Sequence, residues 1–165
     1  KDYLIFRLGT LFGLGDNHSR LRLDLVVNIL SLKATLGQKL TVFGGEQWRP
    51  LLHVRDVSNA ILFGIKNNIT GLYNLSNKNY IISDIAKIIK NKIEGTEVSL
   101  MDMKFEDLRN YKVKNNLLSS TGFIPMYDLE YGIEQIYKIV KEGRIKNINN
   151  SVYSNASYIK EKHGN

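Results

Sequence analysis

The stretch Leu40-Thr-Val-Phe-Gly-Gly-Glu-Gln-Trp-Arg-Pro-Leu-Leu-His-Val-Arg-Asp-Val57 decides how this chain is read. A short β-type run, Leu40 to Phe43, stops at Gly44 and Gly45, and the double glycine marks a turn because only glycine takes positive φ freely. Pro50 pushes Arg49 into an extended conformation and so aims its side chain. A guanidinium held this way suits a phosphate or diphosphate, since its donors can bond two oxygens at once. The plainer alternative is a surface arginine paired with Glu46 or Asp56. Leu51 and Leu52 follow, then His53, Arg55 and Asp56 at the mouth of an amphipathic helix. A lone histidine in an apolar strand is usually a hydrogen-bonded core residue, and Asp56 is most simply the helix N-cap.

On either side, strand-like and helix-like segments alternate. Tyr3 to Thr10 reads as a strand of near-continuous apolar residues, as in a parallel sheet covered on both faces. Leu11 to Ser19 is a loop. A helix is expected from about Asp24 to Leu36, with Asp24 as N-cap and Gly37 past its end. Further helices are expected at about Val57 to Lys66, Ser83 to Lys92 (capped by Ser83) and Leu129 to Glu142. Gly71 to Leu75 reads as a short strand and Glu97 to Met101 as an edge strand. The fold class is α/β, with one unit over 1–143. Residues 144–165 are polar, asparagine-rich and expected to form a loose tail.

The 165 residues suffice for one domain with a sizeable core. Lys1 at the start, followed at once by an apolar run, agrees with a fragment. No cysteine is present, which excludes disulfides and thiolate metal sites and suits a reducing cytoplasm. No apolar run approaches the roughly 20 residues needed to span a bilayer, so no membrane partner is expected. The formal charge of +7 raises nucleic acid as a partner. Yet the lysines are scattered along amphipathic helices and no nucleic-acid-binding motif is evident, so none is expected. A positive field would still draw anionic ligands.

Val42-Phe43-Gly44, Arg49-Pro50 and Leu52-His53-Val54-Arg55-Asp56 together resemble the extended short-chain dehydrogenase/reductase family, the NAD-dependent nucleotide-sugar epimerases and dehydratases. Phe6-Arg7-Leu8-Gly9-Thr10-Leu11-Phe12-Gly13 is similar to that family's Arg-x-x-Asn-x-Tyr-Gly segment, with Thr10 in place of asparagine. Arg22-Leu23-Asp24-Leu25-Val26-Val27-Asn28 resembles a segment that opens the helix over the substrate's diphosphate. Asp107-Leu108-Arg109-Asn110-Tyr111-Lys112-Val113, with Thr121-Gly122-Phe123-Ile124-Pro125, is similar to one branch's closing pattern. The resemblance spans roughly Tyr3 to Gly143 and implies the carboxy-terminal, substrate-binding half of a Rossmann-type fold, its amino-terminal nucleotide-binding half missing. Two family signatures are absent: the Gly-x-x-Gly-x-x-Gly that holds the NAD pyrophosphate, and a catalytic Tyr-x-x-x-Lys on a suitable helix. Tyr137 is followed by Lys141, but in the last helix, where the spacing is one helix face.

What the resemblance implies for function is a nucleotide-sugar-binding portion of an NAD(P)-dependent epimerase or dehydratase. The diphosphate would be clamped by Arg49, with Arg22 and Arg109, and Phe43 would wall the base. Asn28 would touch substrate. Leu8 and Gly9 would lie by the nicotinamide end of NAD, and Thr10 by the sugar. Competing readings are ion pairs of Arg20 or Arg22 with Asp16 or Asp24, a salt bridge of Arg109 to Asp107, and Phe43 in the core. No catalytic residue and no metal ligand are expected. NAD or NADP would serve the complete enzyme, for which a homodimer is an open option, with little binding and no turnover by this chain alone. The alternatives are a non-catalytic nucleotide-diphosphate module, a subunit completing another chain, or a decayed gene product.

Overall fold

The computed structural model describes residues 2–16, 19–101 and 109–164. The run expected to form one strand is two, β1 (Leu4–Leu8) and β2 (Thr10–Phe12). The break falls at Gly9, where a Cβ would stand 2.9 Å from the Pro50 carbonyl oxygen and 3.2 Å from Ser76 Cβ. Such close backbone approach admits only glycine, and it sends β1 and β2 to different sheets.

Helix α1 (Val26–Thr35) leads to β3 (Leu40–Phe43), β4 (Trp48–His53) and α2 (Val54–Lys66). Next come β5 (Gly71–Leu75), β6 (Lys78–Ile81), α3 (Ile82–Lys92) and β7 (Val98–Met101). The chain continues through α4 (Asn116–Ser119), α5 (Leu129–Lys141), a 3-10 turn at Ser151–Tyr153 and α6 (Asn155–His163). Among the described residues β1 pairs parallel with β5, β3 parallel with β7, and β4 lies between β2 (parallel) and β6 (antiparallel). Parallel neighbours require crossovers, and α1, α2 and α3 supply them.

Helix ends differ from expectation where a cap is made by an unexpected residue. Asp24 does not cap α1; its N-cap is Leu25, without a side-chain bond. α2 begins three residues early because His53 Nδ1 accepts the Arg55 N–H, 3.2 Å. Asp56 is therefore inside the first turn; its buried carboxylate accepts Met126 N–H at 2.9 Å and Tyr127 N–H at 3.1 Å. Ser83 likewise falls inside α3, whereas Asp128 caps α5 by accepting Tyr131 N–H at 2.8 Å.

The main core joins Phe12, Val27, Leu51, Ile85, Ile89 and Ile133 between α1, α3, α5 and the central strands. Leu52, Ala60, Leu75 and Phe123 form a second cluster under α2. Leu23, Leu32, Ile136 and Ile139 form a third, which Tyr153 joins from the last segment. Residues 144–164, expected to be a loose tail, thus contain a 3-10 turn and α6, and the Leu23 N–H donates to Tyr153 O at 2.9 Å. Among the described residues no helix is long and apolar enough to cross a membrane.

Candidate functional site

A cleft of about 1060 Å³ opens beside the end of β1, β2 and the starts of α1 and α2. Leu8, Gly9 and Thr10 form one wall and the loop Gly13 to Asp16 another. Arg20 and Arg22 enter from the approach to α1, Val54 and Arg55 from the first turn of α2. Arg144, Ile145, Val152 and Tyr153 close the remaining side. Four guanidinium groups and the carboxylate of Asp16 line the cleft, and with Asp24 beside Arg22 and Glu142 beside Arg144 the balance is only modestly cationic.

Each arginine has a local partner. Arg22 makes the ion pair with Asp24, Nε to Oδ1 at 2.9 Å and Nη2 to Oδ2 at 3.0 Å. Burial pushes the Asp24 carboxyl up, but the Arg22 bond, the Asn155 N–H and the Arg22 charge outweigh it and hold the group below the ordinary aspartate value. Arg20 donates through Nη1 to Val152 O at 2.8 Å and through Nη2 to Asn155 Oδ1, and lies 4.8 Å from the Tyr158 ring centroid. Arg55 donates to the Tyr131 hydroxyl at 2.9 Å. Arg144 stands 3.8 Å from Glu142.

Two amides shape the cleft loop. Asn28 is buried; its Oδ1 accepts the Gly13 N–H at 2.9 Å, and its two donors go to Arg22 O at 2.8 Å and Gly13 O at 3.3 Å. With both donors committed to backbone, Asn28 positions the loop instead of offering its amide to a ligand, unlike the contact expected for it. Gln135 Oε1 accepts both Leu14 N–H at 3.1 Å and His53 Nε2–H at 2.8 Å. The His53 tautomer follows, since Nδ1 already accepts from Arg55. Burial pulls the His53 pKa below its ordinary value; the Gln135 bond and the Asp56 charge only partly oppose it. His53 is thus the hydrogen-bonded core residue that an apolar strand suggested. Gly13 is obligatory here, because a Cβ at its φ of +84° would stand 2.5 Å from His53 Cδ2 and closer still to Nε2.

The structure brings together five expected site residues, Leu8, Gly9, Thr10, Arg22 and Asn28, and leaves three outside this lining. Arg49 is buried on β4, where its Nη1 donates to Trp48 O at 2.9 Å and to Arg109 O. Neither Glu46 nor Asp56 is the partner recorded for that nitrogen. Around Arg109 the chain runs beside β4 and β6: Trp48 N–H donates to Asn110 Oδ1 at 3.0 Å, and Asn79 exchanges two bonds with Val113, at 2.9 and 3.0 Å. Lys112 Nζ sits 3.6 Å from the Trp48 ring centroid. Asp107, named above as a partner for Arg109, lies outside the described residues. Phe43 ends β3 opposite Met101 and is partly exposed.

Gln135, Arg144 and Tyr153 were not legible as site residues. Gln135 carries no motif, and the other two fall in the segment read as a loose tail. The spacing Tyr-x-x-x-Lys occurs at Tyr158 and Lys162 of α6 as well as at Tyr137 and Lys141 of α5, and neither tyrosine lines the cleft. Among the described residues no group of three His, Cys, Asp or Glu side chains could hold a metal.

Residues 1–76 match the model of the NAD dependent epimerase/dehydratase family. Over that stretch, a little under half of the chain, the sequence is similar to that family. Several solved structures align along most of this chain. They include a UDP-glucose 4-epimerase of Thermotoga maritima with UDP-glucose: 20% identity, 87% of this chain, 47% of that one, TM-score 0.67. A dTDP-glucose 4,6-dehydratase of Bacillus anthracis in complex with NAD gives 19%, 86%, 46% and 0.68. RMD of Pseudomonas aeruginosa, complexed with NADPH, gives 18%, 82%, 47% and 0.64. At these identities the likeness is one of fold, and this chain spans about half the length of each relative.

Two expectations are corrected by this. The family match falls on residues 1–76, the amino-terminal Rossmann part, and not on a carboxy-terminal half running from Tyr3 to Gly143. The fold class changes accordingly: the α/β architecture stands, but its assignment as a carboxy-terminal part with the nucleotide-binding half missing does not. The matched stretch holds β1, β2, β4 and β5, whose parallel pairings are the Rossmann-like feature. The segments near Arg109 and Gly122 lie outside that match, whereas Val42 to Asp56 lie inside it.

Gly9, Gly13 and Gly15 all line the cleft, yet the turn after β1 leads into β2 and not into a helix. The helix amino terminus that cradles a pyrophosphate in a dinucleotide fold is therefore not built at this turn, and the glycines there do not fit that group. Gly9 packs closely on Pro50, Gly13 on His53 and Gly15 on Ser19 instead.

Proposed function

We propose that this chain is a nucleotide-sugar-binding portion of an NAD(P)-dependent epimerase or dehydratase, with the phosphates taken by the arginine-lined cleft. The observation that carries this is the convergence of Arg20, Arg22, Arg55 and Arg144 on the strand-end wall Leu8 to Thr10. Guanidinium forks match phosphate oxygens, and the Thr10 hydroxyl supplies a partner for a sugar hydroxyl on the same wall. The family match and the solved epimerase with UDP-glucose support the ligand class.

Calorimetry with UDP and UDP-glucose tests it. Arg22→Ala and Arg55→Ala are each expected to weaken binding on the order of ten- to a hundredfold, the loss of one charge-assisted contact. Binding indifferent to both substitutions, or no heat with any nucleotide, sinks the proposal. A second reading places the phosphates at Arg49 and Arg109, because the structure brings these two distant residues into contact. Arg49→Ala discriminates: loss of affinity there, with Arg22→Ala silent, would favour it. A non-catalytic module would bind equally well but leave UDP-glucose unchanged when NAD is added.

A further inference from the structure

We propose that residues 151–164 form an autoinhibitory strap that holds Arg20 and competes for it with any anion entering the cleft. The inference rests on the cleft being the anion site proposed above. Arg20 could offer a phosphate its two terminal nitrogens, and the strap occupies both, through Val152 O at 2.8 Å and Asn155 Oδ1. Tyr158 packs against the same guanidinium, 4.8 Å from its ring centroid. The strap also touches the other cation on that side, because the Asn155 N–H donates at 2.9 Å to Asp24, the partner of Arg22. A phosphate that takes both terminal nitrogens of Arg20 therefore competes with Val152 and Asn155 for them.

The strap is built to let go. α6 has no buried residue, and its attachment is a handful of polar contacts plus the Tyr153 ring against the Leu23 cluster. Segments held so thinly open at the low end of the local stability range. Linkage then works both ways: an anion that takes Arg20 loosens the strap, and loosening the strap raises affinity for the anion by the same factor.

The test uses the full chain and inorganic pyrophosphate. An Asn155→Ala, Tyr158→Ala double variant removes two of the grips on Arg20 from an exposed helix. It is expected to bind pyrophosphate about fivefold more tightly than the wild type, the worth of roughly one net hydrogen bond. In the wild type, pyrophosphate is expected to speed tryptic cleavage at Lys160 and Lys162. Equal affinity of variant and wild type, with cleavage unchanged by pyrophosphate, overturns the strap and leaves the cleft as an anion site. If neither protein binds pyrophosphate, the cleft proposal falls and the strap with it.

Discussion

Gly13→Ala puts a methyl group where His53 now stands, and its cost can be worked from the contacts. Alanine at a φ of +84° carries left-handed strain of about 1–2 kcal/mol. The new Cβ also displaces the His53 ring, which breaks its bond to Gln135 and disturbs the Leu14 bond to the same oxygen. At about 1 kcal/mol for each bond, and more where a buried partner is stranded, the total is roughly 3–5 kcal/mol. Gly37→Ala is the control: its φ is +71°, and a Cβ there meets nothing within 4 Å. It should cost only the strain, about 1 kcal/mol. Urea unfolding reads both. With a slope near 2 kcal/mol/M, Gly13→Ala should lower the midpoint by about 2 M and Gly37→Ala by about 0.5 M. Equal losses in the two variants would refute the steric argument, because strain alone would then account for both.

Asp56→Asn removes one acceptor from the buried carboxylate that holds Met126 and Tyr127, and should cost about 1–3 kcal/mol in a thermal melt. Asn28→Ala strands the Gly13 N–H, Gly13 O and Arg22 O, so a loss of about 2–4 kcal/mol is expected, with weaker UDP binding because the cleft loop is released. The lowered His53 pKa makes stability pH-dependent. The unfolded histidine binds a proton more readily than the folded one, so His53's contribution is full above its ordinary value of 6.5 and falls away as pH drops below it. Urea midpoints at about pH 7.5 and about pH 5 should differ in the wild type and differ less in His53→Gln. Lys87→Ala, which breaks the exposed pair with Asp84, should change stability by less than about 0.5 kcal/mol.

Much of the fold was legible where periodicity was long. α3 and α5 lie where their isoleucines recur, and β3 and β5 stand at Leu40–Phe43 and Gly71–Leu75 as read. β4 was given no bounds, although His53 was placed in an apolar strand, and β6 was not read as a strand. Pro50 and His53 interrupt the apolar pattern of the first, and Lys78-Asn79-Tyr80 gives the second little β character, so pairing with each other defines them. The single strand read from Tyr3 to Thr10 failed for a similar reason, because contact with Pro50 O and Ser76 is what breaks it at Gly9. Leu8 to Thr10 and Arg22, expected from motif position, do lie together along one cleft. Arg22 proved to be paired with Asp24, an option that spacing alone had left open. Asn28 was recognised as special but assigned to a ligand, since nothing in a sequence shows that its amide reaches back fifteen residues to Gly13.

Trp48 is the chain's one tryptophan, and the Lys112 ammonium lies 3.6 Å from its ring centroid while Asn110 takes its backbone N–H. A cation that close to an indole face perturbs the ring's electrons, so the fluorescence of this protein is an intrinsic gauge of whether the strand-flanking segment from Arg109 to Val113 is seated. Because Arg109 to Lys112 are themselves exposed, that segment should unseat before the core opens. A change in emission that precedes the loss of helical circular dichroism would then mark a partial opening at β4 and not global unfolding. The molecule thus carries its own optical label at the first residue of its middle strand.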